Sequence, residues 1–179
     1  ANTVIEGVME ARADVTTDSR EELLAAAYCL RACVHFDLIN LYAKWYDPAT
    51  AATDKAVPLS LKIDIGQSFI PTTVEKVYEQ VFADLQEAEK YMQVEQQTGA
   101  YLYRFSKKAL KAFQARVYLY HQDWKQAQET AESLLAACPL EDLTTTEAQP
   151  WTYTSKEAIL ALETVSSTVM KEDMYVLDN

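Results

Sequence analysis

Glycine is nearly missing from this chain: Gly7, Gly66 and Gly99 are the only three in 179 residues. Glycine supplies the positive φ angles of tight hairpin turns and the close backbone approach of phosphate-binding loops. Its scarcity argues against a sheet-rich fold and against a glycine-rich phosphate loop. Histidine and cysteine are as sparse, limited to His35, His121, Cys29, Cys33 and Cys138. No Cys-x-x-Cys occurs and no spacing fits a standard zinc site, so no metal ligand and no cofactor is expected. No Gly-x-Ser-x-Gly elbow marks a nucleophile. The carboxylates sit mainly on helical faces, where solvated charge is the default, and no catalytic residue is assigned. No apolar run is long enough to span a bilayer. No signal peptide or lipidation motif stands at Ala1, and the chain opens directly in a helix-like segment, as a mature, trimmed or partial chain would.

Positive charge is also short. Sixteen basic residues face 27 acidic ones, for a net charge of −11. A phosphate backbone is repelled by such a surface, so nucleic acid is not expected as a partner. An anionic membrane surface is disfavoured too, unless a lipid anchor overrides the charge.

What remains is helix-forming. Apolar residues make up 49% of the chain, and alanine, leucine, glutamate, glutamine and lysine dominate. The fold class is all-α in one domain over residues 1–165, with a ragged or weakly structured end at 166–179. Residues 20–46 predict the longest helix: Leu23, Ala27, Leu30, Val34, Leu38, Leu41 and Trp45 repeat at steps of three and four and read as its buried stripe. Residues 1–13 read as the tail of a shorter helix. Thr72 with Glu75, and Ser19 with Glu22, read as capping boxes. Val74, Tyr78, Val81, Leu85, Ala88 and Met92 define a further helix. His35 reads as a hydrogen-bonded helix residue, and the three cysteines as small buried ones.

Residues 106–139 predict two antiparallel helices joined by a very tight turn. Leu110, Phe113, Val117 and Tyr120 form the stripe of the first. Asp123 caps the second, Ala127, Ala131, Leu134 and Cys138 continue the stripe, and Pro139 stops it. Ala115, Tyr118, Ala127, Ala131 and Pro139 fall at the small, aromatic and terminating positions of a tetratricopeptide repeat, although Lys111 and Gln114 replace large apolar residues of that repeat. Stacked hairpins of this kind make a right-handed helical platform.

The connection at 46–71 is long for a helical domain, and such connections are often functional. Its 57–65 portion alternates apolar and polar residues and admits one short extended segment, an edge or loop wall because of Pro58. Aromatics gather near loops: Tyr42, Trp45 and Tyr46 beside this connection, Tyr101 and Tyr103 in a second loop, Trp151 and Tyr153 in a third. Sugar rings present apolar C–H faces that stack on aromatic planes, while their hydroxyls take polar partners. Trp45 and Tyr46 are therefore the candidate carbohydrate-binding residues; the competing reading is that these rings seal the ends of the helix layer.

Several blocks together resemble the SusD/RagB family of glycan-binding outer-membrane lipoproteins of Bacteroidetes. Leu30-Arg31-Ala32 through Leu38-Ile39 resembles the family's Leu-Arg-Ala helix, and Asn2, Ile5 and Glu6 fit the Asn-x-x-Ile helix before it. Val57-Pro58-Leu59 is similar to its Val/Ile-Pro-Leu. Thr73-Val74 through Val77-Tyr78, then Asp84-Leu85 and Ala88, resembles its Thr-Val helix. Ala115-Arg116-Val117-Tyr118-Leu119 with Asp123-Trp124 is similar to its hairpin, and Glu157-Ala158-Ile159-Leu160 to the segment that follows. Ala43 replaces the glycine that usually ends the Leu-Arg-Ala helix, Ile70 stands near a common arginine, and family members are considerably longer. The resemblance implies a tetratricopeptide-like platform, a surface-exposed location on the outer membrane, and non-catalytic capture of oligosaccharide. It also implies delivery to a SusC-like TonB-dependent transporter, with membrane attachment only through an N-terminal lipid absent from this chain. A peptide-binding repeat adaptor and an all-α hydrolase are the alternative functions.

Overall fold

The longest helix organises the rest. In the computed structural model, which describes residues 1–11, 19–64, 66, 68–138, 140, 142, 144, 155 and 157–161, five α-helices follow one another. They are α1 (Asn2–Gly7), α2 (Arg20–Tyr42), α3 (Val74–Tyr91), α4 (Lys107–Tyr120) and α5 (Trp124–Ala137), with a single 3-10 turn at Gly99–Tyr101. No strand occurs among the described residues, those of the 57–65 segment expected to be extended included; an isolated bridge pairs Lys55 with Thr73, both outside that segment. The Pro139 stop, the 145–154 loop with Trp151 and Tyr153, and the 166–179 end lie outside the described residues.

α2 and α3 pack antiparallel. Glu22 reaches Gln93 and Val94, Arg31 reaches Asp84, and Phe36 meets Tyr78, so partners run in opposite order along the two helices. α4 returns against α3, with the Phe82 and Tyr118 rings stacked at 5.1 Å, and α5 turns back on α4. These are two stacked helical hairpins, the tetratricopeptide-like arrangement.

The buried face of α2 is only partly the expected one. Leu24, Ala27 and Ile39 are buried and Leu38 packs on the core, but Ala25, Cys29, Ala32 and Phe36 are buried too, whereas Leu30, Val34 and Leu41 remain exposed. α2 carries apolar residues on nearly every side, so periodicity alone does not choose among its faces. Size decides: Ala25, Cys29 and Ala32 have small side chains, and they let α3 bring Val77, Val81 and Leu85 in close. Phe36 fills the wider end, edge-on to Phe113 at 5.4 Å and to Tyr120 at 5.2 Å.

Caps fix the helix starts. The Ser19, Ser106 and Asp123 side chains accept hydrogen bonds from the amides of Glu22, Ala109 and Gln126. α3 is capped by Thr73, one residue later than expected. Thr72 is committed elsewhere: its carbonyl accepts from the Ala56 amide at 2.7 Å and its own amide reaches Val57. Both ends of the long connection after α2 are tied to the start of α3 in this way. The connection's Asp54 and Ala51 carbonyls accept from the Val74 and Glu75 amides, satisfying donors that a helix start would otherwise leave open. α1 is shorter than expected, ending at Gly7.

A buried ion pair and its hydrogen bonds join four of these pieces. Arg31 donates two hydrogen bonds to the Asp84 carboxylate, at 2.9 and 2.7 Å, and Gln80 adds a third at 2.8 Å. The remaining guanidinium nitrogen reaches Asn2 Oδ1 and the Leu61 carbonyl. Asp84 is 1% exposed. The blocks that carried the family resemblance, Asn2, Leu30-Arg31-Ala32 and Asp84-Leu85, thus meet in one network that pins α1, α2, α3 and the connection together. Next to it, His35 corrects an expectation: it is buried, and its Nδ1 finds no hydrogen-bond partner among the described residues. Cys29 and Cys138 are buried and Cys33 half-buried, all as free thiols.

Candidate functional site

The aromatic end of α2 meets the α4–α5 turn. α2 stops at Tyr42, where Ala43 takes an extended backbone (φ −117°, ψ 174°). That conformation needs no glycine, so the substitution at this position is accommodated without strain. The helix ends before Trp45, which therefore leaves the predicted stripe and stands 89% exposed. The following turn is tightly tied: the Asp47 side chain accepts from the Ala49 amide, and its carbonyl accepts from Thr50 and Ala51.

Tyr46 plays the opposite part. Its ring lies 4.0 Å from the His121 ring and 5.2 Å from the Tyr78 ring, so it is largely a wall of the helix layer. Partial burial, and then the Glu75 charge, push its phenol up. Burial likewise pushes Tyr78 up to about 12 and draws His121 down. The two candidate residues are adjacent but differ in kind: Tyr46 anchors and Trp45 is free.

The α4–α5 turn closes the other side. Gln122 has φ 63°, the left-handed region that a non-glycine side chain enters at a cost of about 1 kcal/mol. Its amide Nε2 donates to the Tyr46 carbonyl at 2.6 Å, which clips the turn to the aromatic loop. Leu119, Tyr120 and Trp124 then face Trp45, Tyr46 and Asp47 across a depression of about 660 Å³. An adjoining depression of about 760 Å³ shares Trp45, Asp47 and Tyr120 and adds Lys44, Thr50 and Asp54. Lys44 donates to Asp54 Oδ1 at 2.5 Å and Thr50 donates to its Oδ2, contacts that hold this carboxyl below the usual carboxylate range, the Lys44 bond foremost.

The cleft thus holds exposed rings of Trp45, Trp124 and Tyr120 beside carboxylates, a hydroxyl and an ammonium. Such a set can stack on the C–H face of a sugar and hydrogen-bond its hydroxyls. In the sequence Tyr120 belongs to a buried stripe and Trp124 to the hairpin motif. Tyr120 is instead half exposed, with one edge on Phe36 and the rest in the cleft. The signal that could have found them is the turn itself, because a hairpin this tight places its flanking aromatics at one end of the layer.

Tyr42 is exposed but lines neither depression, and Tyr101 and Tyr103 lie elsewhere, around the Arg104 guanidinium at 5.0 and 5.7 Å. Tyr103 borders a separate apolar cavity of about 430 Å³ beside Leu23 and Leu30, near the opposite end of α2. Among the described residues no cluster of histidine, cysteine or carboxylate side chains could hold a metal ion, and no helix is long and apolar enough to cross a membrane.

The SusD-like family described as "Starch-binding associating with outer membrane" matches residues 1–119. SusD-like protein P38 of Formosa agariphila is 30% identical over 120 residues, which cover 65% of this chain and 21% of that protein. A SusD superfamily protein of Bacteroides thetaiotaomicron shares the fold at TM-score 0.65 and 22% identity, over 75% of this chain and 28% of that one. A laminarin-binding SusD-like protein does so at TM-score 0.60 and 22% identity, over 79% and 28% of the two chains. The chain spans about a fifth of the curated relative's length and under a third of these two structures. Its helices, its Asn2–Arg31–Asp84 network and the match over residues 1–119 agree: the chain belongs to the SusD-like family.

Proposed function

We propose that this chain is the helical part of a non-catalytic, surface-exposed glycan-binding protein that captures oligosaccharide and delivers it to a SusC-like TonB-dependent transporter. The observation that carries the reading is the cleft between the 43–47 loop and the α4–α5 turn, where Trp45 stands 89% exposed beside Trp124 and Tyr120. A fully exposed indole on a tightly hydrogen-bonded loop contributes little to folding and is well suited to stacking. Trp45 is the stacking surface in this reading, and Tyr46 holds the loop that presents it. Family membership and the laminarin-binding structural relative support a carbohydrate ligand. Attachment to the outer membrane is through a lipid, and the repeat-like faces of α2 and α5 that remain exposed are available to the transporter.

The test uses the full-length protein. Titration against a panel of oligosaccharides of different linkage should find at least one ligand, and co-purification should recover a TonB-dependent transporter. Turnover of no glycan is expected over prolonged incubation. A full-length protein that binds no member of a broad panel and recovers no transporter overturns the reading, and hydrolysis of a bound glycan overturns its non-catalytic part.

A further inference from the structure

The charges around the cleft restrict which glycans it can hold. Lys44 is the one cation among the residues lining the two depressions, and it is already paired with Asp54. Gln122, the lining amide nearest the tryptophans in sequence, spends its Nε2 donor on the Tyr46 carbonyl. Asp47 is exposed, and among the described contacts its carboxylate accepts only the Ala49 amide. The local balance is one positive against two negative charges, on a chain of net charge −11.

We infer that this cleft selects uncharged oligosaccharides and rejects glycans that carry carboxylate or sulfate groups. The inference rests on the glycan-binding reading and narrows its substrate class. An anionic sugar stacked on Trp45 would bring its charge close to Asp47 with no free cation to receive it. Two like charges about 4 Å apart in a wet site repel by an amount worth about fivefold in affinity, and more where the ring excludes water. An uncharged hexose meets no such opposition, and its hydroxyls can donate to Asp47 and to the outer lone pairs of Asp54. The Lys44–Asp54 pair is the tuning element, because it cancels one of the two carboxylates.

The experiment compares matched pairs on the full-length protein: each neutral oligosaccharide that binds, and the same oligosaccharide oxidised at C6 to carry carboxylates. Calorimetric titration at low ionic strength should show the oxidised form binding about tenfold more weakly or worse, with the gap narrowing as salt is added. Asp47→Asn keeps the side-chain oxygen that caps Ala49 and should lower the neutral-to-anionic affinity ratio. Lys44→Ala unmasks Asp54 and should raise it. Equal or tighter binding of the oxidised form, or ratios unmoved by both substitutions, overturns the charge selection while leaving glycan binding intact. Absence of binding by every neutral and oxidised glycan overturns the glycan-binding reading itself.

Discussion

Replacing Arg31 by alanine should be among the most damaging single changes in the helical layer. Arg31 is nearly enclosed, at 11% side-chain exposure, and Asp84 is 1% exposed. The substitution removes two of the three hydrogen bonds that Asp84 accepts and leaves only Gln80. It also releases Asn2 of α1 and the Leu61 carbonyl of the connection. Breaking one partner of a buried ion pair costs about 3–5 kcal/mol, most of it the penalty of an uncompensated charge in the interior. For a chain of this size, each kcal/mol moves the melting temperature by about 2–4 °C, so Arg31→Ala should melt about 6–20 °C below the parent. Removing both charges should hurt less than removing one. The double variant Arg31→Met with Asp84→Leu fills similar volume without a stranded carboxylate, and should recover more than half of the loss. Urea and thermal unfolding of Arg31→Ala and of the double variant measure this directly. A single-variant cost below about 1 kcal/mol, or a double variant no more stable than Arg31→Ala, would refute the claim that a desolvated pair pins α1, α2 and α3.

Gln122→Ala should lose about 1 kcal/mol with the Tyr46 hydrogen bond, whereas Gln122→Gly should come out near neutral because relief of the left-handed backbone offsets that loss; urea midpoints separate the two. Burial draws both histidines, His35 and His121, below their ordinary value. The unfolded chain therefore takes up protons first as pH falls below about 6.5, so stability should be full above that pH and decline beneath it until the folded groups titrate. His35→Leu should flatten that slope between pH 5 and 7, as read by melting temperature against pH; an unchanged slope would show that His35 does not contribute to it. Burial raises the Cys29 thiol and pushes Cys33 up to about 12, so both should resist maleimide at neutral pH until the protein is unfolded, as intact mass reports.

The helices were legible in the sequence because their signals are local. Ser19 and Asp123 mark their helices through side-chain chemistry within three residues, and the α3 start moves by one residue because Thr72 answers to Ala56, a partner distant in sequence. Which face of α2 is buried was not legible, because Leu30 and Val34 satisfy the helical period as well as Cys29 and Phe36 do. The choice between them depends on how closely α3 approaches, a property of two helices together. The candidate site was half visible for a related reason. Trp45 and Tyr46 stand out as aromatics beside a long connection, but Trp124 joins them through tertiary contacts, the Gln122–Tyr46 hydrogen bond across 76 residues and the Tyr46–His121 ring contact. The family motifs divide: Arg31 and Asp84 hold helices together and lie outside the cleft lining, whereas Leu119 and Trp124 of the hairpin motif line it.

Oligosaccharide capture at Trp45 is the central claim, and one comparison tests it most directly. The affinity of the full-length protein for its best-binding oligosaccharide should be measured by calorimetry, alongside that of Trp45→Ala. Trp45 is 89% exposed, so its removal should leave the melting temperature nearly unchanged. If it is the stacking surface, affinity should fall by roughly 30-fold, the loss expected for an aromatic that dominates a small contact. Undiminished binding by a correctly folded Trp45→Ala variant would contradict the account and place the sugar elsewhere on the protein.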